Sequence, residues 1–361
     1  MAKLTEVFTS PAIAAVYNEV ASNRIPYLGE GLFPAQQKSG LNLRWIKGSK
    51  GLPVMLMPSA FDSNAPIRSR QGFDIIDTEM AYFKEAMIVK EQDKQDFESV
   101  VESAPLAREI LNKIYDDATT LVDGARVVEE CMRMSLLANA NGHPSISIAV
   151  TGGATYTYNF DANPVDAKKY SATNFTALSG TSLWTDTANS TPLKDVEDAQ
   201  DKVEAMTGTR PSKMILSRAT LNLLKQNASI RSAILAQNVT ANIFMNDARV
   251  KELFSNELGV TLLVYTKQYK DYSDTAKKFY PDGMVTLIPE GTLGSTWKGV
   301  TPEEFESSKL DVSIVDNGTA ITVNTSFDPV QTTTKVSEVV LPSFERMDET
   351  YMIKVASSLT Y

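Results

Sequence analysis

The residue types that most often do chemistry are scarce in this sequence. It holds one cysteine, Cys131, and one histidine, His143, twelve positions apart. A zinc site built from several such ligands is excluded, and thiol–imidazole catalysis is limited to that single pair. Cys131 falls among Val128, Met132 and Leu136 at helical spacing. A thiol there reads as a buried structural group rather than a nucleophile. His143 lies in an Asn-Gly-His-Pro helix stop and reads as a surface turn residue. The pairs Asp116-Asp117 and Glu129-Glu130 could supply the acid and base of a hydrolase. On a charged helix they read as a solvated face, and no facing partner can be named for them. The glycine loops GSKG (48–51) and GTLG (291–294) lack the P-loop spacing and its Lys-Ser/Thr. KMIL (213–216) runs into SRATLN without the glycine fingerprint of a dinucleotide site. No catalytic, cofactor-binding or metal-binding residue is assigned, and no cofactor is expected.

Composition narrows the classes further. The chain has 361 residues, 43% of them hydrophobic, enough to bury a core and to divide into two or three domains. No run of about 18 apolar residues occurs, so no membrane span is expected. MAKLTEVFTSP lacks a basic-then-apolar export pattern. The formal net charge is −9, with no Lys/Arg cluster. A protein that grips phosphates needs a basic face, so specific nucleic-acid binding is not expected. An acidic chain can still enclose nucleic acid without binding it.

The element that must organise these residues is the stretch 103–141. Leu106, Ile110, Ile114, Ala118, Leu121, Ala125, Val128, Met132 and Leu136 recur at steps of three or four, one apolar stripe along a helix. Arg108, Glu109, Lys113, Asp116, Asp117, Asp123, Arg126, Glu129, Glu130 and Arg133 fall mostly off it. Pro105 suits the first turn, and Asn141-Gly142 with Pro144 supplies a stop. About 35 residues make a rod of roughly 50 Å, which needs a broad surface beneath it. The other choice is two helices bent near Gly124.

On either side lie the candidates for that surface. Ser10-Pro11 opens a short amphipathic helix through Ile13, Val16, Tyr17 and Val20. Residues 41–93 alternate as LNLRWI, then break at Pro53 and Pro58 in GLPVMLMPSAFD, and resume as FKEAMIVKE. Such apolar, proline-broken segments do not close their own core and borrow burial from a neighbour. SISIAV (145–150) and TYTYNF (155–160) read as strands. From 191 the texture becomes compact α/β, with helices after Thr191-Pro192 and Asn246-Asp247, glycine stops at Gly208 and Gly259, and strands KMIL, VTLLVY and MVTLI. In LDVSIVDNGTAITVN (310–324), Asn317-Gly318 predicts a two-residue hairpin turn, with Ile314 facing Ile321 and Val312 facing Val323.

These blocks, taken in order, resemble a family. GLPVMLMPSAFD (51–62), APIRSRQGF (65–73), MAYFKE (80–85) before IVKEQDKQ, and the long helix after Ala104-Pro105 carry the likeness. So do Ser179-Gly180 to Trp184, FYPDGMVTLIPEG (279–291), Asp328-Pro329, Leu341-Pro342-Ser343 and Asp348-Glu349. The chain resembles tailed-phage major capsid proteins of the HK97-type shell fold, in the group that includes the capsid protein of phage lambda. The resemblance covers most of residues 25–361; order and spacing carry it, not any one motif.

The resemblance implies an α+β fold: an extended loop, a spine helix on a β-sheet in a peripheral domain, and a compact α/β axial domain. It implies an N-terminal arm over 1–40, an extended loop over 41–93 and a peripheral domain over 94–192. An axial domain would cover 193–300, with C-terminal strands over 301–361 returning to the sheets. It implies a non-enzymatic subunit that assembles into hexamers and pentamers of an icosahedral virion shell around double-stranded DNA, after synthesis in the host bacterial cytoplasm. Trp45, Lys47, Lys50, Met55, Met57, Phe61, Arg68 and Arg70 are the candidate contacts between subunits. Only about 25 residues precede the stretch that carries the likeness, so a separate scaffolding protein is expected, along with a portal and a decoration protein. Lys47 and Lys50 near the loop tip have no matching Asn or Glu for a cross-link, so no catalytic residue is carried over. The alternatives are an encapsulin-like nanocompartment shell of the same fold and, from another class, an α/β hydrolase. A carbohydrate-binding β module is argued against by the long helix and the missing export signal.

Overall fold

The computed structural model describes residues 9–21, 26–47, 74–92, 95, 104–149, 155–161, 170–235, 245–271, 273–308 and 310–361. The chain forms two compact units. The first contains residues 1–43, 77–132 and 295–343; the second contains 44–76, 133–294 and 344–361.

The stretch with helical spacing is a single helix, Ala104–Leu137, of 34 residues. It is unbroken at Gly124, and at 1.5 Å per residue spans about 51 Å. Most of it belongs to the first unit, where the expected broad surface is a six-stranded sheet. Its order is Ala35–Lys38, Thr296–Gly299, Val330–Pro342, Thr319–Phe327 and Asp311–Val315, with Ala81–Val89 also paired to Val330–Pro342. Val330–Pro342 is the axis of that sheet. Its residues 332–340 ladder antiparallel to 89–81, while 330–337 ladder to 327–320. Ala81–Val89, the end of the proline-broken block, thus has a sheet of its own rather than lacking a core.

Ala118, Leu121 and Val122 from the long helix pack with Ile13, Ala14 and Tyr17 of the short helix Ser10–Ala21, and with Val315, Ile321 and Val336 of the sheet. Tyr115 completes that cluster. The short helix is thus seated by apolar burial, as its marginal length requires. Polar bonds fix its position: Ser10 Oγ donates to Asp311 Oδ1 at 2.7 Å, and Tyr17 hydroxyl donates to Asp316.

The hairpin Asp311–Val315/Thr319–Phe327 forms, but one register away from the expected one. Val315 pairs with Thr319, Ile314 with Ala320 and Ser313 with Ile321. The loop has three residues. Asp316 and Asn317 take φ of 46° and 60°, and the Gly318 N–H closes on Val315 O at 3.1 Å. Asp and Asn tolerate that left-handed conformation, so the turn shifts one residue back. Gly318 then occupies φ 145°, where an added Cβ would lie 2.9 Å from Lys298 Cβ.

The second unit is the compact α/β part. Its mixed sheet runs Phe175–Ala177, Tyr351–Lys354, Met284–Ile288, Lys213–Ser217, Thr261–Tyr265. Helices Pro192–Thr207, Arg218–Gln226, Ala228–Leu235 and Asp247–Leu258 accompany it. Met214, Leu216, Val285, Leu287 and Ile353 of the sheet share one core with Val196, Val203, Leu221, Val250 and Phe254 of the helices. Gly208 and Gly259 stop two of these helices at φ 74° and 65°. Asn246 caps Asp247–Leu258 by accepting from Arg249 N–H at 3.0 Å. Thr191 sits at the N-cap of Pro192–Thr207, but its side chain makes no cap bond.

Among the described residues, three two-stranded pairs complete the picture. They are Asn42–Lys47 with Asp74–Glu79, Ser145–Ala149 with Thr155–Asn159, and Gln268–Lys270 with Ala276–Lys278.

Candidate assembly surface and the clusters that hold it

The residues expected to touch other subunits cluster on the chain between the paired strands Asn42–Lys47 and Asp74–Glu79. Lys50, Met55, Met57, Phe61, Arg68 and Arg70 lie outside the described residues. Lys47 ends the first of the two strands, and its side chain is not described. Trp45 is described. It is 5% exposed and meets Phe160 edge-on, with ring centroids 5.3 Å apart at 80°. Its ring is therefore packed within its own chain, with Nε1 buried and without a hydrogen-bond partner.

The residues considered for chemistry have structural settings. Glu129 and Glu130 are not a solvated face: both are buried. Glu129 Oε1 lies 2.7 Å from Lys298 Nζ, and Glu130 accepts the Gly29 N–H at 3.1 Å. Lys298 also donates to Asp316 O at 2.7 Å and to Thr319 Oγ1 at 3.2 Å. Thr319 in turn lies 3.5 Å from Glu338 Oε2. A buried charge survives only when it is paired, and Lys298 supplies that pairing for Glu129. Periodicity missed it because the partners, on a strand, a short helix and a turn, lie far along the chain. Asp116, by contrast, is exposed, and the Asp117 side chain is not described.

Cys131 is half-buried rather than in the core. His143 is half-exposed, as a turn residue should be, but it is tethered: Nδ1 lies 2.8 Å from Asp161 Oδ2. Asp161 is itself buried and accepts the N–H groups of Tyr170 and Ser171. Its carboxylate is occupied in holding a turn. The GTLG segment is likewise structural, since Arg346 donates to Glu290 O at 2.8 Å and Thr292 O at 3.1 Å while pairing with Glu349. Among the described residues no group of three or more His, Cys, Asp or Glu is placed to hold a metal ion. No helix among them is long and apolar enough to cross a membrane.

A second buried cluster went unread in the sequence. Glu303, on the short helix Pro302–Phe305, accepts from Lys335 Nζ at 2.6 Å, Tyr82 hydroxyl at 2.8 Å and Ser337 Oγ at 2.9 Å. Burial alone would raise its carboxyl, but the bonds from Lys335, Tyr82 and Ser337 more than reverse this and hold it at about 2. Burial, and then the bond to Glu303, push Tyr82 up to about 12. A third group ties Arg126 of the long helix to Glu30 at 2.6 Å and stacks its guanidinium 5.4 Å over Tyr27. These clusters position backbone; none presents a nucleophile, base and oxyanion site to a substrate cavity.

Known proteins agree with this reading. The sequence matches the family Phage major capsid protein E over residues 9–355. No curated protein sequence matches it. Among solved structures, a phage-related protein from Bordetella bronchiseptica RB50 is similar at 16% identity, with 99% of both chains covered and a TM-score of 0.56. A protein assigned as the capsid protein of an Escherichia coli CFT073 prophage is similar at 14% identity, with 97% of this chain and 99% of that chain covered and a TM-score of 0.59. The fold is the HK97-type shell fold, α+β in class. A structural role, in a homo-oligomeric shell of the virion, fits buried groups such as Glu129, Asp161 and Glu303, which among the described residues hold helices, strands and turns in place. From residue 9 to residue 355, then, this chain belongs to the phage major capsid protein E family.

Proposed function

We propose that the chain assembles into hexamers and pentamers of an icosahedral shell that encloses double-stranded DNA. The observation that carries this is the family match over nearly the whole chain, joined to a strand pair, Asn42–Lys47 with Asp74–Glu79, that brackets an apolar, proline-broken segment. In this reading residues 1–40 are the arm and 41–93 the extended loop. Residues 94–192 are the peripheral domain, 193–300 the axial domain and 301–361 the returning strands. The loop reaches over a neighbouring copy. Lys47, Lys50, Met55, Met57, Phe61, Arg68 and Arg70 make the contact, and Trp45 anchors the base of the loop. The net charge of −9 suits a wall that leaves packaged DNA mobile. A separate scaffolding protein, a portal and a decoration protein are its partners, and the subunit is made in the host bacterial cytoplasm.

Electron microscopy and sedimentation of the purified chain test the proposal. Shells or six- and five-fold rings are expected. A stable, soluble monomer at high concentration refutes it. Charge reversal at Arg68 and at Arg70 tests the loop contacts: if both variants assemble like the parent, those arginines are only surface.

A further inference from the structure

Among the described residues, Phe305 is the most exposed of the large apolar side chains, at 75%. It does not hang on a loose loop. Pro302–Phe305 is fixed from beneath by Glu303, whose carboxylate takes three bonds from Lys335, Tyr82 and Ser337. The turn that follows closes tightly, with Leu310 N–H on Glu306 O at 3.1 Å. Leu310 and Ile314, close behind in sequence, are also exposed, at 37% and 38%. Ile314 lies on the strand Asp311–Val315, on the face opposite its neighbours Ser313 and Val315. The register puts Ile314, Ala320 and Ser337 in one lateral row. Two strand spacings, about 10 Å, separate Ile314 from the residue that binds Glu303. Ile314 and the Glu303 anchor beneath the Phe305 helix thus lie on the sheet face away from the Val336 and Ile321 core. Glu304 and Glu306 flank the aromatic ring in sequence.

We propose that this Phe305 patch is a contact between copies of the chain in the assembled shell. An aromatic side chain carried on a rigid anchor loses little freedom on docking, so its burial goes largely into affinity. The occupant is a second copy because the chain is the subunit of a homo-oligomeric shell, so other copies surround it at high density. Copies carrying −9 each repel one another over distance, so cohesion requires local apolar contacts of this kind. The inference rests on shell assembly as proposed above, and parental chain run in parallel separates the two: failure of the parent to assemble refutes assembly itself.

The test uses the full chain under conditions in which the parent forms shells. Phe305→Ser should keep the parental unfolding midpoint and circular dichroism, yet need about tenfold more protein for half-maximal assembly by light scattering. Phe305→Leu should recover most of the loss. Placing the photo-crosslinker p-benzoylphenylalanine at 305 gives a readout that does not depend on how Phe305→Ser folds. Illuminated shells should yield a covalent dimer of this chain on a denaturing gel. Parental assembly by Phe305→Ser, absence of the dimer, or adducts only to a different virion protein would each overturn the proposal.

Discussion

Replacing Glu303 by Gln should remove a defined part of the protein's stability against acid. The carboxyl ordinarily titrates near 4.5 and is held at about 2 in the fold. A difference of roughly 2.5 units corresponds to about 3 kcal/mol. Lys335, the main cation at the site, is itself a third exposed, and solvent screens part of that gain. About 2 kcal/mol is the working figure. Because the folded carboxyl is depressed, this stability is fully present above about pH 4.5. It is lost as pH falls towards about 2, where the folded group also takes up its proton. The isosteric amide keeps an acceptor for Tyr82 and Ser337 but leaves the Lys335 ammonium facing a neutral group. Urea unfolding of unassembled capsomers across this range is the assay. The parent should lose about 2 kcal/mol relative to Glu303→Gln between pH 5 and 2, so that the two profiles converge at the acid end. Parallel profiles over the whole interval would refute the reasoning, since they would mean that Glu303 titrates alike in folded and unfolded chains.

Three other perturbations separate the forces in the first unit. Leu121→Ala should cost about 2–5 kcal/mol by urea unfolding, and Thr120→Ala, one residue away on the exposed side, should stay within about 0.5 kcal/mol; equal losses would sink the one-sided packing of the helix. Lys298→Met should cost about 3–5 kcal/mol by stranding Glu129, and adding Glu129→Gln should return part of it; strict additivity would show that the pair is not coupled. Gly318→Ala should lower the unfolding midpoint by the equivalent of about 1–3 kcal/mol, because φ 145° and the Lys298 side chain both oppose a Cβ; an unchanged midpoint would show that the turn can rearrange.

The long helix and its first turn were legible because an apolar side chain every three or four residues has few other uses; its end was not, since the helix stops at Leu137, four residues before the expected Asn141-Gly142 stop. The helices of the second unit were legible for the same reason, helped by Gly208 and Gly259. The hairpin was legible as a hairpin, but its register was not. Asn-Gly is the usual signal for a two-residue turn, whereas here Asp316 and Asn317 form the corner and Gly318 clears Lys298. That preference depends on a lysine eighteen or more positions away, which no local rule contains. Glu129 and Glu130 were misread for a related reason. A charged pair on a helix looks the same in sequence whether water or a lysine from another strand faces it.

Glu129 and Glu303 also share a logic that bears on assembly. Both rest on the strand Val330–Pro342, through neighbouring residues that face opposite ways. Glu338 points to the face where Lys298, Glu129 and the long helix lie, since Lys298 pairs with Val340, two residues on. Ser337 and Lys335 point to the other face, where Glu303 fixes the turn that carries Phe305. One strand therefore has a buried charge cluster on each side, one seating a helix and the other a surface turn. Buried paired charges tie an element to one place through directional contacts, where apolar contacts alone tolerate sliding. A shell subunit repeats its surface from copy to copy, and a surface turn clamped by two bonds to the central strand and a third from Tyr82 on the neighbouring strand Ala81–Val89 suits that. Apolar packing supplies the drive to fold the first unit; the paired charges on its central strand set where the long helix and the Phe305 turn come to rest.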